Sequence, residues 1–166
     1  MSWIYKNNAN NTARFVLGEY SNTTDKTLVC VGINPSTATP NYLDPTLKKV
    51  KAISVSHYYT NWIMINAYPQ RATNPNNLDI DCNVLLHNDN INAIRDLLTT
   101  FTNADILFAY GNLIDKRAYL KTCLADILDS IKNSHFNGQQ YCIKRTVKGN
   151  PAHPLYQKVN AVFIPY

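Results

Sequence analysis

Hydrophobic residues along this chain form short continuous runs that alternate with longer stretches of helical spacing. Four of the runs are bounded by turn-forming residues and predict buried strands over 27–33, 61–66, 104–110 and 140–147. Residues 14–20 predict a further strand, as the first strand or as half of a hairpin, and 162–164 a short edge element.

Three helices are expected between these strands. The first begins at Asp44-Pro45-Thr46, where the aspartate can cap the helix and the proline takes its first position. The second carries apolar residues at helical spacing over 84–101, and the third over 120–131, with Asp115 as its candidate cap. The alternation predicts a single α/β domain over 1–166, a three-layer sandwich around a mostly parallel, four-stranded central sheet.

Polar and small residues follow the ends of the four predicted strands. In a parallel sheet these ends share one edge, which is where open α/β sheets bind ligands. We therefore expect a single site at this edge, built from four segments: Gly32-Ile33-Asn34-Pro35-Ser36, Asn66-Ala67-Tyr68-Pro69-Gln70-Arg71, Tyr110-Gly111-Asn112 and the loop that contains His153.

Composition narrows the protein class. No apolar run approaches the ~20 residues of a membrane helix, and the first residues lack a signal-peptide pattern, so we expect a cytoplasmic protein with no membrane partner. The four cysteines are scattered and none has a histidine at zinc-finger spacing, which favours free thiols and predicts neither a metal nor a cofactor. The net charge of +5 is compatible with a nucleic-acid partner but also with an ordinary solvated surface.

Two residues at the expected edge are candidates for catalysis. Asn34 is a neutral amide that can orient a water molecule but cannot act as a strong base, and it could equally stabilise the turn before Pro35. His153 lies between two prolines, where a rigidly held imidazole can stabilise negative charge or transfer a proton. His57 and His135 lack such a setting and are expected at the surface.

Further residues are candidates for substrate binding. Asn66 can present a donor and an acceptor to a nucleobase, Arg71 can pair with an anion, and Tyr68 and Tyr110 can stack on a flat ligand; capping, solvent exposure and core packing are the alternatives. Asp44 and Asp89 could hold the arginine or activate water, although Asp44 is also explained by capping. The sequence contains no nucleophile-elbow, P-loop or dinucleotide-binding motif. The full set of candidate binding residues is Gly32, Ser36, Asn66, Tyr68, Arg71, Asp89, Tyr110, Gly111 and Arg117.

These motifs resemble the small bacterial and phage proteins grouped as domain of unknown function 1643. The resemblance rests on Ile33-Asn34-Pro35-Ser36-Thr37-Ala38, Asp44-Pro45-Thr46, Asn66-Ala67-Tyr68 with Arg71-Ala72-Thr73, Asn88-Asp89, Tyr110-Gly111 with Arg117, and Gly149-Asn150-Pro151-Ala152-His153-Pro154-Leu155-Tyr156. It places Arg71, Asp89 and Arg117 in the family pattern, where they could form a phosphate pocket for a free nucleotide.

The order of the motifs is also similar to that of the uracil-DNA glycosylase superfamily. The matching segments are Gly32-Ile33-Asn34-Pro35, Ile63-Met64-Ile65-Asn66, Leu107-Phe108-Ala109-Tyr110-Gly111 and His153-Pro154. This resemblance implies a glycosylase-like fold in which Asn34 positions the attacking water, Asn66 reads the base and His153 stabilises the oxygen of the departing base. Because Asn34 stands where the most active relatives have an acid, slow turnover is implied.

Two functions are consistent with these observations. The first is a hydrolase that cleaves the N-glycosidic bond of a base in DNA or in a nucleotide, without a cofactor. The second is a protein that binds a nucleotide or a modified base in the same pocket without cleaving it. The partner is a nucleic acid or a free nucleotide in either case, and the sequence does not determine the oligomeric state.

Overall fold

One mixed sheet of seven strands runs through the protein. The computed structural model describes residues 1–134 and 136–166. In chain order the strands are Ser2–Asn7 (β1), Arg14–Tyr20 (β2), Thr27–Gly32 (β3), Asn61–Asn66 (β4), Ala104–Phe108 (β5), Gln140–Cys142 (β6) and Ile164–Pro165 (β7). Their order across the sheet is β1-β2-β4-β3-β5-β6-β7.

The four strands of the expected parallel sheet form its centre. Strands β4, β3, β5 and β6 pair in parallel, whereas β1 and β2 at one edge and β7 at the other are antiparallel. The sheet is therefore mixed rather than mostly parallel, and it has seven strands. The strand predicted over 14–20 is β2, the edge element expected over 162–164 lies instead at Ile164–Pro165 as β7, and β1 was not predicted. Strand β6 ends at Cys142 instead of residue 147, because the chain reverses there and the Ala152 N–H bonds to the Lys144 carbonyl.

Three helices connect the central strands: Pro45–Ser56 (α1), Val84–Thr100 (α2) and Tyr119–Asn133 (α3). Asp44 caps α1 as predicted, since its Oδ1 accepts a hydrogen bond from the Leu47 N–H at 2.9 Å. Asp115 does not cap α3. It ends a 3₁₀ turn over Gly111–Asp115 and pairs with Lys121 at 2.8 Å, and α3 begins after Ala118 without a side-chain cap. No helix among the described residues is long and apolar enough to span a membrane.

Alternation along the central strands divides the core between two faces. On β3, Val29 and Val31 pack with α2 and α3, whereas Leu28 and Cys30 pack with α1. Such alternation follows from the period of two residues along a strand. The helices therefore cover both faces of the sheet, and their connections leave β3 and β5 toward opposite faces, which opens a crevice at the carboxyl edge.

Some smaller predictions can be compared with this fold. The four cysteines are free, and no cluster of metal-ligating side chains exists in the described part of the chain. His57 was expected at the surface but is half-buried, stacked on Phe163 with ring centroids 3.9 Å apart. His135 lies outside the described residues.

Candidate functional site

A cavity of about 140 Å³ lies at the carboxyl edge of the sheet, in the crevice described above. For comparison, an apolar cavity of ~150 Å³ holds one benzene molecule, so this volume suits a single aromatic ring. The polar and small residues in its wall include Arg14, Gly32, Asn34, Ser36, Asp44, Asn66, Tyr110 and His153.

Gly32 leaves space for the side chain of Asn66, which forms part of the cavity wall. The two residues are partners in the parallel pairing of β3 with β4. A Cβ at position 32 would lie 3.0 Å from Asn66 Oδ1 and 2.5 Å from Met64 Cε. Glycine at this position therefore permits the observed position of the Asn66 amide.

The side chain of Asn66 is completely buried and unpaired. Its Oδ1 and Nδ2 have no hydrogen-bond partner among the described residues, while its main-chain carbonyl accepts a bond from Asn90 Nδ2 at 2.9 Å. An unsatisfied buried polar group costs about 1–3 kcal/mol. A ligand that offers one donor and one acceptor would satisfy both amide atoms at once.

Hydrogen bonds fix the orientation of the Asn34 amide. Its Nδ2 donates to the carbonyls of Pro35 at 3.0 Å and Ala72 at 2.7 Å. Because both partners are acceptors, the amide cannot be flipped without losing both bonds. Oδ1 therefore remains as an acceptor for a ligand or a water molecule, and the side chain also stabilises the loop after β3.

His153 is held in a defined tautomer. It caps the 3₁₀ turn Pro154–Tyr156, and its Nδ1 accepts a bond from the Leu155 N–H at 3.3 Å. Burial lowers the pKa of His153, and the Asp44 carboxylate opposes this shift with a smaller effect. The ring is thus neutral at pH 7 and carries its proton on Nε2, which makes Nε2 a donor.

Gly111 supports this position of His153. It has a φ of +64°, a conformation that favours glycine, and a Cβ at this position would lie 3.4 Å from His153 Cβ. Tyr110 precedes it, contributes to the cavity wall and shares a hydrogen bond of 3.0 Å with the hydroxyl of Tyr166. The two residues therefore shape the part of the site around the histidine.

Arg14 belongs to the cavity wall, although its position in the sequence did not predict a site residue. The residue is 1% exposed, and the only hydrogen bond of its side chain among the described residues runs from Nη1 to the Ala38 carbonyl at 3.4 Å. Nε has no partner among the described residues. Burial, followed by the charge of Arg71, lowers the pKa of Arg14 to about 10, and Asp44 acts in the opposite direction. The available signal was an arginine at the head of an apolar run.

Arg71 lies beside the cavity and holds the loop after β3. Its guanidinium donates to the main-chain carbonyls of Ser36 and Ala38 and to the Tyr5 hydroxyl, the last at 2.8 Å. The Ser36 hydroxyl bonds to Thr73 at 2.9 Å, which also links this loop to the segment after β4. The contacts of Arg71 are therefore those of a structural clamp.

Three other candidates lie outside the cavity wall. The Tyr68 hydroxyl is buried in the core and donates to Asp79 at 2.8 Å. Arg117 donates to the carbonyls of Asn76, Leu78 and Asp79 and so fixes the segment 76–79. Asp89 is exposed on α2. The structure thus groups Asn34, Asn66, His153, Gly32, Ser36 and Tyr110 around the cavity, with Gly111 behind His153, but not Tyr68, Arg71, Asp89 or Arg117.

A second, open groove of about 420 Å³ adjoins the cavity at His153. Its walls include Lys144, Arg145 and the strongly exposed side chain of Tyr156. Cationic and aromatic side chains in an open groove are typical of surfaces that contact single-stranded nucleic acids. The groove therefore places two cations and an aromatic ring beside the cavity.

Comparison with known proteins places the chain in one family. The sequence model of the family described as "Protein of unknown function (DUF1643)" matches residues 14–155, which is most of the chain. The chain therefore belongs to this family, as its motifs predicted. No match was found among curated proteins or among solved structures. The similarity to uracil-DNA glycosylases gains no support from these comparisons and remains a hypothesis.

Proposed function

We propose that this member of the DUF1643 family binds a single-ring nucleobase in the cavity and hydrolyses the N-glycosidic bond between the base and its sugar. The observation that carries the proposal is the convergence of three polar side chains, Asn34, Asn66 and His153, on one cavity of about 140 Å³. A pyrimidine has the size and the polar edge that such a cavity accommodates.

Asn66 supplies recognition in this proposal. Its unpaired amide presents a donor next to an acceptor, the complement of an N–H beside a carbonyl on a pyrimidine. A site that leaves a buried amide unpaired with the wrong ligand discriminates strongly against that ligand. The bond between Asn90 and the main chain of Asn66 keeps this end of β4 in place.

His153 assists departure of the base. When the bond between the sugar C1′ and the base nitrogen breaks, its electron pair moves to the base and negative charge forms on the carbonyl oxygen. The Nε2–H of a neutral imidazole can donate to that oxygen, and one well-placed donor of this kind contributes roughly 3–4 kcal/mol at most. The lowered pKa of His153 supports the neutral form.

Asn34 positions the water. Its Oδ1 accepts a hydrogen bond from a water molecule whose oxygen bonds to C1′, and the proton released from this water ends on the base nitrogen. The products are the free base and a sugar with a C1′ hydroxyl. An amide does not remove the proton, so we expect slow turnover.

The same lack of a base favours binding without cleavage as the second candidate function. Among the described residues that line the cavity, the only carboxylate is that of Asp44, and one of its oxygens caps α1. A protein of this kind would recognise the base through Asn66 and retain it. The two functions differ in whether the glycosidic bond is ever broken.

Base release measured by mass spectrometry tests the proposal. The protein would be incubated with pyrimidine and purine nucleosides, nucleotides, and single-stranded and duplex DNA with normal, deaminated or modified bases. We expect release of a pyrimidine by the natural sequence and by Asp129→Asn, an exposed control on α3, but not by Asn34→Ala or His153→Asn. Binding without release would support the second function. If the protein neither binds nor releases any base, both proposed functions are contradicted.

A further inference from the structure

The guanidinium of Arg14 has no role in the proposed hydrolysis, yet it lies in the cavity wall. None of the ion pairs between described residues includes Arg14, and the only hydrogen-bond partner of its guanidinium among them is the Ala38 carbonyl at 3.4 Å. Buried charges in proteins are normally paired, because the loss of hydration is costly. Arg14 therefore lacks the partner that its burial requires.

The charges around Arg14 do not provide this partner. The two groups that affect its pKa most among its charged neighbours are Arg71, which has the same charge, and Asp44, which has the opposite charge. Asp44 uses Oδ1 to cap α1 and also faces His153. Two guanidinium groups next to one carboxylate leave an excess of positive charge at the cavity.

Arg71 provides an internal comparison. Its Nη1 and Nη2 donate to two main-chain carbonyls and a tyrosine hydroxyl, although its Nε, like that of Arg14, has no partner among the described residues. Arg14 is more deeply buried, has fewer partners and lines the cavity, whereas Arg71 does not. The contacts of Arg71 are thus those of a structural residue, whereas the burial, the few partners and the position of Arg14 are those expected of a ligand-binding residue.

We propose that the ligand of this site carries a terminal anionic oxygen group, a phosphate or a carboxylate, that pairs with Arg14 inside the cavity. The inference deepens the proposed function, because it names a small charged nucleotide or base as the substrate class. Guanidinium recognises both anionic groups through paired N–H donors. The inference rests on the proposed function only in that the cavity is taken as the site of the base. It does not depend on whether the base is released.

A nucleic-acid strand fits Arg14 poorly. The residue is 1% exposed, and a phosphodiester backbone that continues on both sides cannot enter a cavity of about 140 Å³. Such a strand would instead follow the open groove with Lys144 and Arg145. The buried arginine therefore favours a monomeric ligand over a polymer.

Calorimetric titration with pairs of ligands that differ by one anionic group tests this inference. The pairs are uridine with uridine 5′-monophosphate, and uracil with its 6-carboxy derivative, orotic acid. Inorganic phosphate and a single-stranded oligothymidylate complete the panel. We expect the charged member of at least one pair to bind roughly 10- to 100-fold more tightly, as for a hydrogen bond to a charged group. Which pair shows the difference identifies phosphate or carboxylate.

Variants then assign the preference to Arg14. Arg14→Gln should remove the difference between charged and uncharged ligands, and Arg14→Lys should retain part of it. Arg95→Gln removes the same charge from an exposed site on α2 and should leave the preference intact. If Arg14→Gln fails to fold, Arg14→Lys gives the comparison, because it keeps the charge but loses the paired N–H donors and should therefore reduce the preference for the charged ligand.

Three results would overturn the inference. The first is that charged and uncharged members bind within about twofold of each other, or that none binds. The second is that the oligothymidylate binds more tightly than every monomer. The third is that Arg14→Gln keeps the charge preference. Failure of base release with an intact, Arg14-dependent preference would instead contradict only the hydrolysis, so the two proposals fail separately.

Discussion

Gly32 and Asn66 are paired across strands β3 and β4, and the space left by the missing side chain of Gly32 is bordered by the Asn66 amide. A Cβ at position 32 would lie 3.0 Å from Asn66 Oδ1. Two residues far apart in the sequence therefore form one unit in the cavity wall. Their relationship makes the effect of a single methyl group predictable.

Gly32→Ala should displace the Asn66 amide. The added methyl group would also meet Met64 Cε at 2.5 Å, although the end of a methionine side chain can move. We expect ligand affinity to fall at least roughly tenfold, with a loss of about 1–3 kcal/mol in the free energy of unfolding. Calorimetry and urea unfolding of the same variant measure the two effects.

A double variant separates the two contacts. Met64→Leu removes Cε at a cost of less than about 1.5 kcal/mol. If Asn66 carries recognition, Gly32→Ala with Met64→Leu should recover stability but not affinity. Full recovery of affinity would mean that Met64, rather than Asn66, caused the loss.

Asn34→Asp should weaken the loop after β3 rather than simply add a catalytic base. The amide Nδ2 donates to the carbonyls of Pro35 and Ala72, and a carboxylate would place an acceptor against both. We expect the free energy of unfolding to fall by about 2–4 kcal/mol at pH 8 and by less at pH 4, where the side chain can be protonated. Urea unfolding at both pH values measures this difference.

Asn34→Ala serves as the control for this change. It removes the same donor bonds without adding a charge, so its loss of stability should not depend on pH. Equal losses for the two variants at pH 8 would contradict the predicted repulsion. A faster release of base by Asn34→Asp would show that the loop tolerates the carboxylate.

The stability of the fold should depend on the titration of His153. Burial lowers the pKa of this residue in the folded protein. The unfolded chain therefore binds the proton first as the pH falls below about 6.5, and the folded state loses stability down to its own lower pKa. Above pH 7 the ring is neutral in both states and the effect disappears.

His153→Asn isolates this contribution. Asparagine does not titrate in this range and can still accept the bond from the Leu155 N–H through its side-chain oxygen. As the pH falls from 8 to 5, the natural sequence should lose more unfolding free energy than the variant. A difference that stays constant over this pH range would show that folding does not shift the pKa of His153.

Arg71→Met should destabilise the fold by about 2–4 kcal/mol, because it leaves the Ser36 carbonyl without its donor and the Ala38 carbonyl with only the 3.4 Å bond from Arg14. Tyr5→Phe removes the hydroxyl that accepts from the same guanidinium and donates to Asn11 Oδ1 at 3.1 Å, and it should cost about 1–2 kcal/mol. Urea unfolding measures both, and hydrogen exchange over residues 34–38 should accelerate in Arg71→Met. Unchanged stability together with lost ligand binding would make Arg71 a ligand-binding residue instead.

Much of the fold could be predicted because its signals are local. The caps and apolar runs that define α1 and the central strands are encoded within a few residues each, as Asp44 and Asn66 illustrate. Strand β1 lacked such a signal, since most of its residues are exposed at the edge of the sheet. Strand β1 is stabilised by its pairing with β2, and this pairing cannot be predicted from the residues of β1 alone.

Arg14 was missed because the direction of its strand was unknown. The search for a site followed the carboxyl ends of strands, which is correct for the parallel centre of the sheet. Strand β2 is antiparallel to β4, so the beginning of β2, and with it Arg14, lies at the same edge. Pairing direction is a long-range property that a run of apolar residues does not encode.

Arg71 and Arg117 show a different limit. Both were selected because a guanidinium can bind phosphate, yet each donates to carbonyls of irregular loops. Such loops leave main-chain acceptors unpaired, and a guanidinium with five donors can satisfy several of them. The number of unpaired carbonyls is fixed only when the loops have folded.

The origin of the cavity wall has a consequence for folding. Arg14 comes from β2 and His153 from the segment after β6, so the cavity closes only after nearly every strand has joined the sheet. Contacts of such high sequence separation form slowly, and during synthesis the chain would emerge at ~5–20 residues per second before the last of them exists. A complete cavity is thus a property of the fully assembled sheet, and a molecule that fills it would stabilise the fully folded state alone.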